Sequence, residues 1–303
     1  MTEPPSAPGP LLQGILPPLV TPFLPDGGLD LAAFEANLDS YAGEGLSGCL
    51  VLGSNGEAAS LEEGEKLSLV RAARARVGSR TLLVGTGLES TRATVAFTRK
   101  AADLGADAAL VLTPHYYKPH MTAEALRRHF EAVAEASPIP ILLYSVPQFT
   151  GIPFPPALAA ELASHPRVAG MKESSGDVGL LGRILASVPP SFAVACGSAP
   201  VMYPALCMGA TAGILAFACC APRPAVALHD AFRAGDHARA RRIQEASTPL
   251  AVAVTATHGV AGLKAAMDLA GWRGGAVRGP LLPVAAAVRE ELRRLLVRAE
   301  EAV

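Results

Sequence analysis

The chain has 303 residues, half of them hydrophobic and 17% charged, which is too apolar for a disordered polypeptide and long enough for one large core or two smaller domains. Lys and Arg number 26 against 27 Asp and Glu, a formal net charge of −1, so there is no electrostatic footprint for a phosphate backbone and nucleic acid is not an expected partner. The apolar stretch Ile214–Ala221 falls far short of the roughly 20 residues that cross a bilayer, so no membrane span is expected.

In chain order, Met1–Pro10 is Pro-rich, with no basic or apolar segment of the signal-peptide kind. It reads as a flexible tail through residue 13 of a cytoplasmic protein. Strand-length apolar runs then recur at Gly14–Phe23, Gly48–Ser54, Thr81–Thr86, Ala108–Thr113, Pro140–Val146, Val168–Lys172, Phe192–Gly197 and Thr211–Ala218, eight in all. Most are unbroken Val, Leu, Ile and Ala, the composition of strands buried on both faces of a parallel sheet. The segments between them have helical periodicity: Leu31, Phe34, Leu38 and Tyr41 form one apolar stripe behind an Asp30 cap. Eight successive βα units point to an α/β fold, a closed (β/α)8 TIM barrel over residues 14–235. The rival open sheet lacks its glycine-rich nucleotide turn, since neither G-x-G-x-x-G nor a P-loop occurs. After Pro222 the strand signal stops, and Asp236–Thr255, Ala261–Leu269 and Pro283–Glu300 read as helices. A C-terminal helical extension is therefore expected over residues 236–303.

Five cysteines, Cys49, Cys196, Cys207, Cys219 and Cys220, form no C-x-x-C pair, and four lie in apolar stretches, where buried reduced thiols are expected. The seven histidines contain no H-x-x-x-H pair, so a zinc site has no support.

Barrels of this kind carry their chemistry at the C-terminal ends of the strands. The polar residues there are Gly53-Ser54-Asn55-Gly56-Glu57 after the second strand, Pro114-His115-Tyr116-Tyr117 after the fourth, Tyr144 on the fifth, Lys172 on the sixth and Gly197-Ser198 after the seventh. Lys172 follows Val168-Ala169-Gly170-Met171, a run too apolar to solvate an ammonium. Burial disfavours the charged form of a lysine and frees its amine to attack a carbonyl and form a Schiff base. A strand-end lysine paired with Glu173 or Asp177 is the competing reading. Tyr144 on the neighbouring strand is placed to relay protons, or else is a barrel tyrosine with a satisfied hydroxyl. The Gly53–Gly56 turn is either a nest for a carboxylate or an ordinary strand-to-helix connection.

With these residues in view, the chain resembles the pyruvate-dependent class I aldolase and lyase family, which includes dihydrodipicolinate synthase, N-acetylneuraminate lyase and 4-hydroxy-2-oxoglutarate aldolase. The likeness spans about Gly14 to Pro283. It rests on Gly53-Ser54-Asn55-Gly56-Glu57, Thr113-Pro114-His115-Tyr116-Tyr117, Tyr144-Ser145-Val146-Pro147 and Gly170-Met171-Lys172-Glu173-Ser174-Ser175-Gly176-Asp177. The resemblance implies that Lys172 forms an imine with an α-keto acid, that Tyr144 is the principal acid/base, and that Ser54, Tyr144 and Tyr116 form a proton relay. It further implies that Ser54 and Asn55 hold the substrate carboxylate and that Ser174 and Gly197 line the distal pocket. Tyr116 would reach into a neighbouring subunit's site, within a homotetramer built as a dimer of dimers. No cofactor and no metal are implied, because a protonated imine polarises the carbonyl carbon itself.

Within the family, the lysine-biosynthetic synthase typically has an arginine two residues after the proline of Tyr-x-Val-Pro, where this chain has Phe149. A phenyl ring cannot form the bidentate pair that an arginine makes with a carboxylate. Glu63, Lys66 and Glu89 stand where lysine-sensitive members often carry His, His and Asn. Ser54-Asn55, the Tyr144 and Lys172 motifs and the stretch from His258-Gly259-Val260-Ala261-Gly262-Leu263-Lys264 to Pro280 are most similar to 4-hydroxy-2-oxoglutarate aldolase. The expected reaction is therefore cleavage of 4-hydroxy-2-oxoglutarate to pyruvate and glyoxylate. The alternatives are dihydrodipicolinate synthase, condensing pyruvate with aspartate semialdehyde, and an aldolase of 2-keto-3-deoxy sugar acids. A non-catalytic binding protein on the same barrel is disfavoured, since binding alone does not need the amine and both hydroxyls.

Overall fold

The computed structural model describes residues 11–303. Eight parallel strands are β1 (Gly14–Leu16), β2 (Gly48–Val51), β3 (Thr81–Gly85), β4 (Ala108–Leu112), β5 (Ile141–Ser145), β6 (Val168–Glu173), β7 (Ala193–Cys196) and β8 (Ala212–Ile214). They follow one another around the sheet, and β1 pairs with β8 through Gly14↔Ala212 and Leu16↔Ile214. The β1–β2 seam is joined by Ser47 N donating to Ile15 O at 3.0 Å and Leu50 N to Pro17 O at 3.0 Å. The result is a (β/α)8 TIM barrel.

The runs are apolar throughout because each strand is covered twice. Leu16, Leu50, Leu83, Leu110, Leu142 and Ile214 fill the interior, while alternate residues such as Val51, Val84, Val111, Leu143 and Val194 pack outward against helices. Leu12, in the segment expected as tail, is fully buried in that interior cluster; residues 1–10 of the expected tail lie outside the described residues. Most strands stop short of their apolar runs, β1 and β8 by the most. Pro17 and Pro18 have no N–H to donate, so continuous β1 ends at Leu16 and Pro18 keeps only an isolated parallel bridge to Leu50. Beyond β8, Ala216–Cys219 coils into a 3-10 turn that stays buried, so its apolar character reflects packing under the C-terminal helices rather than strand.

The covering helices are α1 (Leu31–Ser40), α2 (Glu63–Val77), α3 (Thr91–Asp103), α4 (Ala123–Ala136), a single turn α5 (Pro147–Thr150), α6 (Pro156–Ala163), α7 (Val178–Ser187), α8 (Met202–Met208) and α9 (Pro222–Arg233). Asp30 caps α1 by accepting from Ala33 N at 2.9 Å, and Ser90, Thr122 and Asp177 do the same for α3, α4 and α7. The C-terminal helices are α10 (His237–Val252), which passes into a π turn over Ala253–Thr257, then α11 (Gly259–Leu269) and α12 (Ala286–Glu300). Among the described residues no helix is long and apolar enough to cross a membrane. Cys49, Cys196, Cys219 and Cys220 are buried free thiols and Cys207 is exposed; burial pushes the thiols of Cys49, Cys196 and Cys220 up to about 12.

His129 joins α4 to α3, with Nδ1 2.9 Å from Thr91 Oγ1. Burial holds its imidazole down at about 4, against an opposing pull from Glu89. Unfolded, the same ring titrates near 6.5, so between these values the unfolded chain takes up a proton that the folded chain refuses. Stability is then complete above pH 6.5 and falls as the pH drops towards 4, by about 3 kcal/mol from this group. Urea midpoints across that range should show this slope in the parent and a shallower one in His129→Asn. An unchanged slope excludes His129 as its source.

Candidate active site

Strand register sets the centre of the mouth. On β5 and β6, Tyr144 lies opposite Lys172, and Lys172 lies opposite Ala195 of β7. Gly170, two residues before Lys172 on the same face, pairs with Leu142, which belongs to the barrel interior, so the lysine points inward at the end of the strand. It is only 4% exposed and Tyr144 5%. Lys172 Nζ is 3.5 Å from Tyr144 Oη and 4.5 Å from the centre of the phenol ring. The same hydroxyl lies 3.4 Å from Ser54 Oγ. Two strand residues and one from the turn after β2 thus bring an amine and two hydroxyls together, with the phenol between the other two.

The competing pairing of Lys172 does not form. Asp177 caps α7 and meets Arg183. Glu173, on the opposite face of β6, accepts from Ser175 N at 2.9 Å, and burial pushes its carboxyl up. Among the described residues the amine has no carboxylate partner and is in contact with the Tyr144 phenol and its ring.

Ser174 and Gly197 close the other side. Ser174 Oγ is buried without a hydrogen-bond partner among the described residues. A Cβ on Gly197 would fall 1.8 Å from that oxygen and 2.9 Å from Lys172 Cε, so only glycine leaves the lysine its space. Gln148, on α5, donates to Ser174 O at 2.9 Å, and beside it Phe149 is 60% exposed.

Asn55 is half-buried in the 3-10 turn Ser54–Gly56. That turn is bracketed by two non-glycine residues in the left-handed region, Leu52 at φ 61° and Glu57 at φ 51°. Such backbone costs about 1–3 kcal/mol per residue and persists only where the surroundings enforce it.

Tyr116 is not gathered into this group within the chain. It is 76% exposed and packs edge-on against Tyr117 with ring centres 5.0 Å apart. Its loop is nonetheless fixed, because Glu89 accepts from His115 N at 2.9 Å and Tyr116 N at 2.8 Å and pairs with His115 Nδ1 at 2.9 Å. Among the described residues, no three His, Cys, Asp or Glu side chains converge on a point where a metal would sit.

The sequence reading passed over the support of the Ser54 turn. Lys264 of α11 is buried with its Nζ 2.5 Å from Glu57 Oε1 and donates to Ala276 O at 2.6 Å. Burial lowers the lysine's basicity while the carboxylate beside it pulls the other way. Arg278 N donates to Glu57 Oε2 at 2.9 Å, and the Arg278 guanidinium holds Glu65 through both carboxylate oxygens, at 2.7 and 2.6 Å. The one available signal was a lysine within the apolar face of Val260-Ala261-Gly262-Leu263-Lys264-Ala265-Ala266-Met267.

The model of the dihydrodipicolinate synthetase family matches residues 11–299. The chain belongs to that family. It is 36% identical over 283 residues to a 4-hydroxy-tetrahydrodipicolinate synthase of an Exiguobacterium species, covering 93% of this chain and 96% of the relative. A 4-hydroxy-tetrahydrodipicolinate synthase of Methanoculleus marisnigri is 38% identical, with 95% of this chain and 99% of the relative covered. The barrel superposes on the dihydrodipicolinate synthase of Thermotoga maritima with a TM-score of 0.91 at 30% identity, over 96% of this chain and 99% of the other. The pyruvate complex of the Acinetobacter baumannii synthase gives a TM-score of 0.90 at 31% identity, over 95% and 99%. These dihydrodipicolinate synthetase relatives carry the synthase name, not the aldolase name to which the motifs pointed.

Proposed function

We propose that this dihydrodipicolinate synthetase family member is a pyruvate-dependent lyase or synthase that works through an imine on Lys172. The observation that carries the reading is the buried contact of Lys172 Nζ with Tyr144 Oη at 3.5 Å, extended by the half-buried Ser54 Oγ 3.4 Å from the same hydroxyl, at the mouth of the barrel. The amine attacks the keto carbon of pyruvate, and the carbinolamine loses water to leave a protonated imine. Loss of a methyl proton gives an enamine, whose carbon forms the new C–C bond with an aldehyde carbon; hydrolysis then returns the free amine. Run backwards, the same steps cleave a 4-hydroxy-2-keto acid. Tyr144 carries the protons, with Ser54 as the next link towards solvent and Tyr116 supplied by a neighbouring subunit of a homotetramer. Ser54 and Asn55 hold the carboxylate beside the keto group, and the unpartnered Ser174 hydroxyl, kept clear by Gly197, meets the far end of the substrate.

The names of the relatives favour aspartate semialdehyde as the partner of pyruvate. One observation favours a second reading, cleavage of 4-hydroxy-2-oxoglutarate: Phe149 stands where an arginine would grip the aldehyde's carboxylate. Rates with pyruvate plus aspartate semialdehyde and with pyruvate plus glyoxylate, measured on the parent and on Phe149→Arg, separate the two. Under the first reading the parent condenses the semialdehyde faster than glyoxylate; the reverse order selects the second. Either way Phe149→Arg is expected to raise kcat/KM for the semialdehyde by about tenfold, the worth of one charge-assisted pair. No change would mean that this position does not meet the carboxylate.

A further inference from the structure

The turn that carries Ser54 and Asn55 is held from outside the barrel wall. Glu57 ends the turn in a left-handed conformation, and its carboxylate, 2% exposed, has two anchors, Lys264 Nζ at 2.5 Å and Arg278 N at 2.9 Å. Both lie in the segment that follows the eight strands. Phe23 is clamped by the side chains of the same two residues, with Lys264 Nζ 4.5 Å and the Arg278 guanidinium Cζ 4.1 Å from its ring centre. Thr21 Oγ1 completes the support by donating to Gly56 O at 2.7 Å. A buried ion pair is seldom more stabilising than apolar residues of the same volume, so stability alone does not account for a Lys–Glu pair at this point. What the pair supplies is direction: a charge-assisted contact of fixed length sets where the turn ends and hence where Ser54 Oγ stands relative to Tyr144 Oη.

We infer that Glu57 and Lys264 are positioning residues of the active site, an internal strut by which the C-terminal segment aims the Ser54–Asn55 turn at the imine. The inference rests on the Lys172 reading above and concerns neither residue as a reactant.

The test follows the rate of pyruvate imine formation, trapped by borohydride and read as adduct mass, together with kcat and KM for pyruvate and the thermal midpoint. The full-length parent must form the adduct; its absence overturns the Lys172 reading itself. Lys264→Met and Glu57→Gln are each expected to slow imine formation by about a hundredfold, the scale of an ångström-sized misplacement, and to lower the thermal midpoint by leaving the other group buried and unpaired. In Glu57→Gln/Lys264→Met the midpoint is expected to recover while imine formation stays at least about tenfold slow. Kinetics that recover along with the midpoint make the pair merely structural and overturn the inference. Glu57→Asp retains the charge with a shorter arm and tests the same point mildly: a folded Glu57→Asp with parental trapping rate and parental kcat overturns the inference while leaving the Lys172 reading intact.

Discussion

Lys172→Ala is expected to lower kcat/KM by roughly 10⁴-fold or more and to abolish the borohydride adduct with pyruvate, because the substitution removes the amine that would form the covalent intermediate beside Tyr144. The effect on stability should run the other way. Lys172 is buried, belongs to none of the ion pairs among the described residues, and has only a 3.5 Å contact to a phenol. Lys172→Met, which keeps the volume and removes the polar head, should therefore hold or raise the thermal midpoint. Peptide mass mapping of the trapped parent provides the companion measurement, with the adduct expected on the peptide containing Lys172. An adduct elsewhere, or turnover surviving in Lys172→Ala, would move the chemistry to another group.

Gly197→Ala should be the most damaging substitution for its size. The added methyl would fall 1.8 Å from Ser174 Oγ, 2.8 Å from Ser174 Cβ and 2.9 Å from Lys172 Cε. Rotating the serine relieves the first contact but not the other two, so the lysine or the strand end must shift. An overpacked core costs about 1–3 kcal/mol, which a barrel of this size should survive. The displaced amine should lower kcat/KM about a hundredfold. Steady-state kinetics beside a thermal melt would show the disproportion, a folded protein with a slow imine step. Parental kinetics in Gly197→Ala would mean that Gly197 does not set the position of Lys172.

The strands were legible because both faces of each are covered, so most of the apolar runs are unbroken. Their ends were less legible, since hydrophobicity reports burial and not hydrogen bonding: Pro17-Pro18 stays buried but keeps only an isolated bridge to Leu50, and Ala216–Cys219 stays buried as a 3-10 turn. The same logic governs the site. Lys172, Tyr144 and Ser54 could be picked out because they are polar residues at the ends of apolar strands, and register then brought them together. Gly197 was placed there by motif, while the reason for a glycine, room for Lys172 Cε, emerged only from the packing. Glu57 and Lys264 each stood in a quoted motif, but their pairing was hidden because neither follows a local pattern that names the other. The Glu57 and Arg278 groups that meet are 221 residues apart in sequence.

That separation bears on how the protein is made. During synthesis the last strand is complete at Ile214, yet the carboxylate at the end of the Ser54 turn has no counter-charge until Lys264, and no second anchor until Arg278, has left the ribosome. Contacts of such long range form late in folding. A nascent chain can therefore hold all eight strands, Lys172 among them, before the Ser54 turn has its anchors; under the positioning role inferred for Glu57 and Lys264, competence for the reaction arrives with the C-terminal segment and not with closure of the barrel.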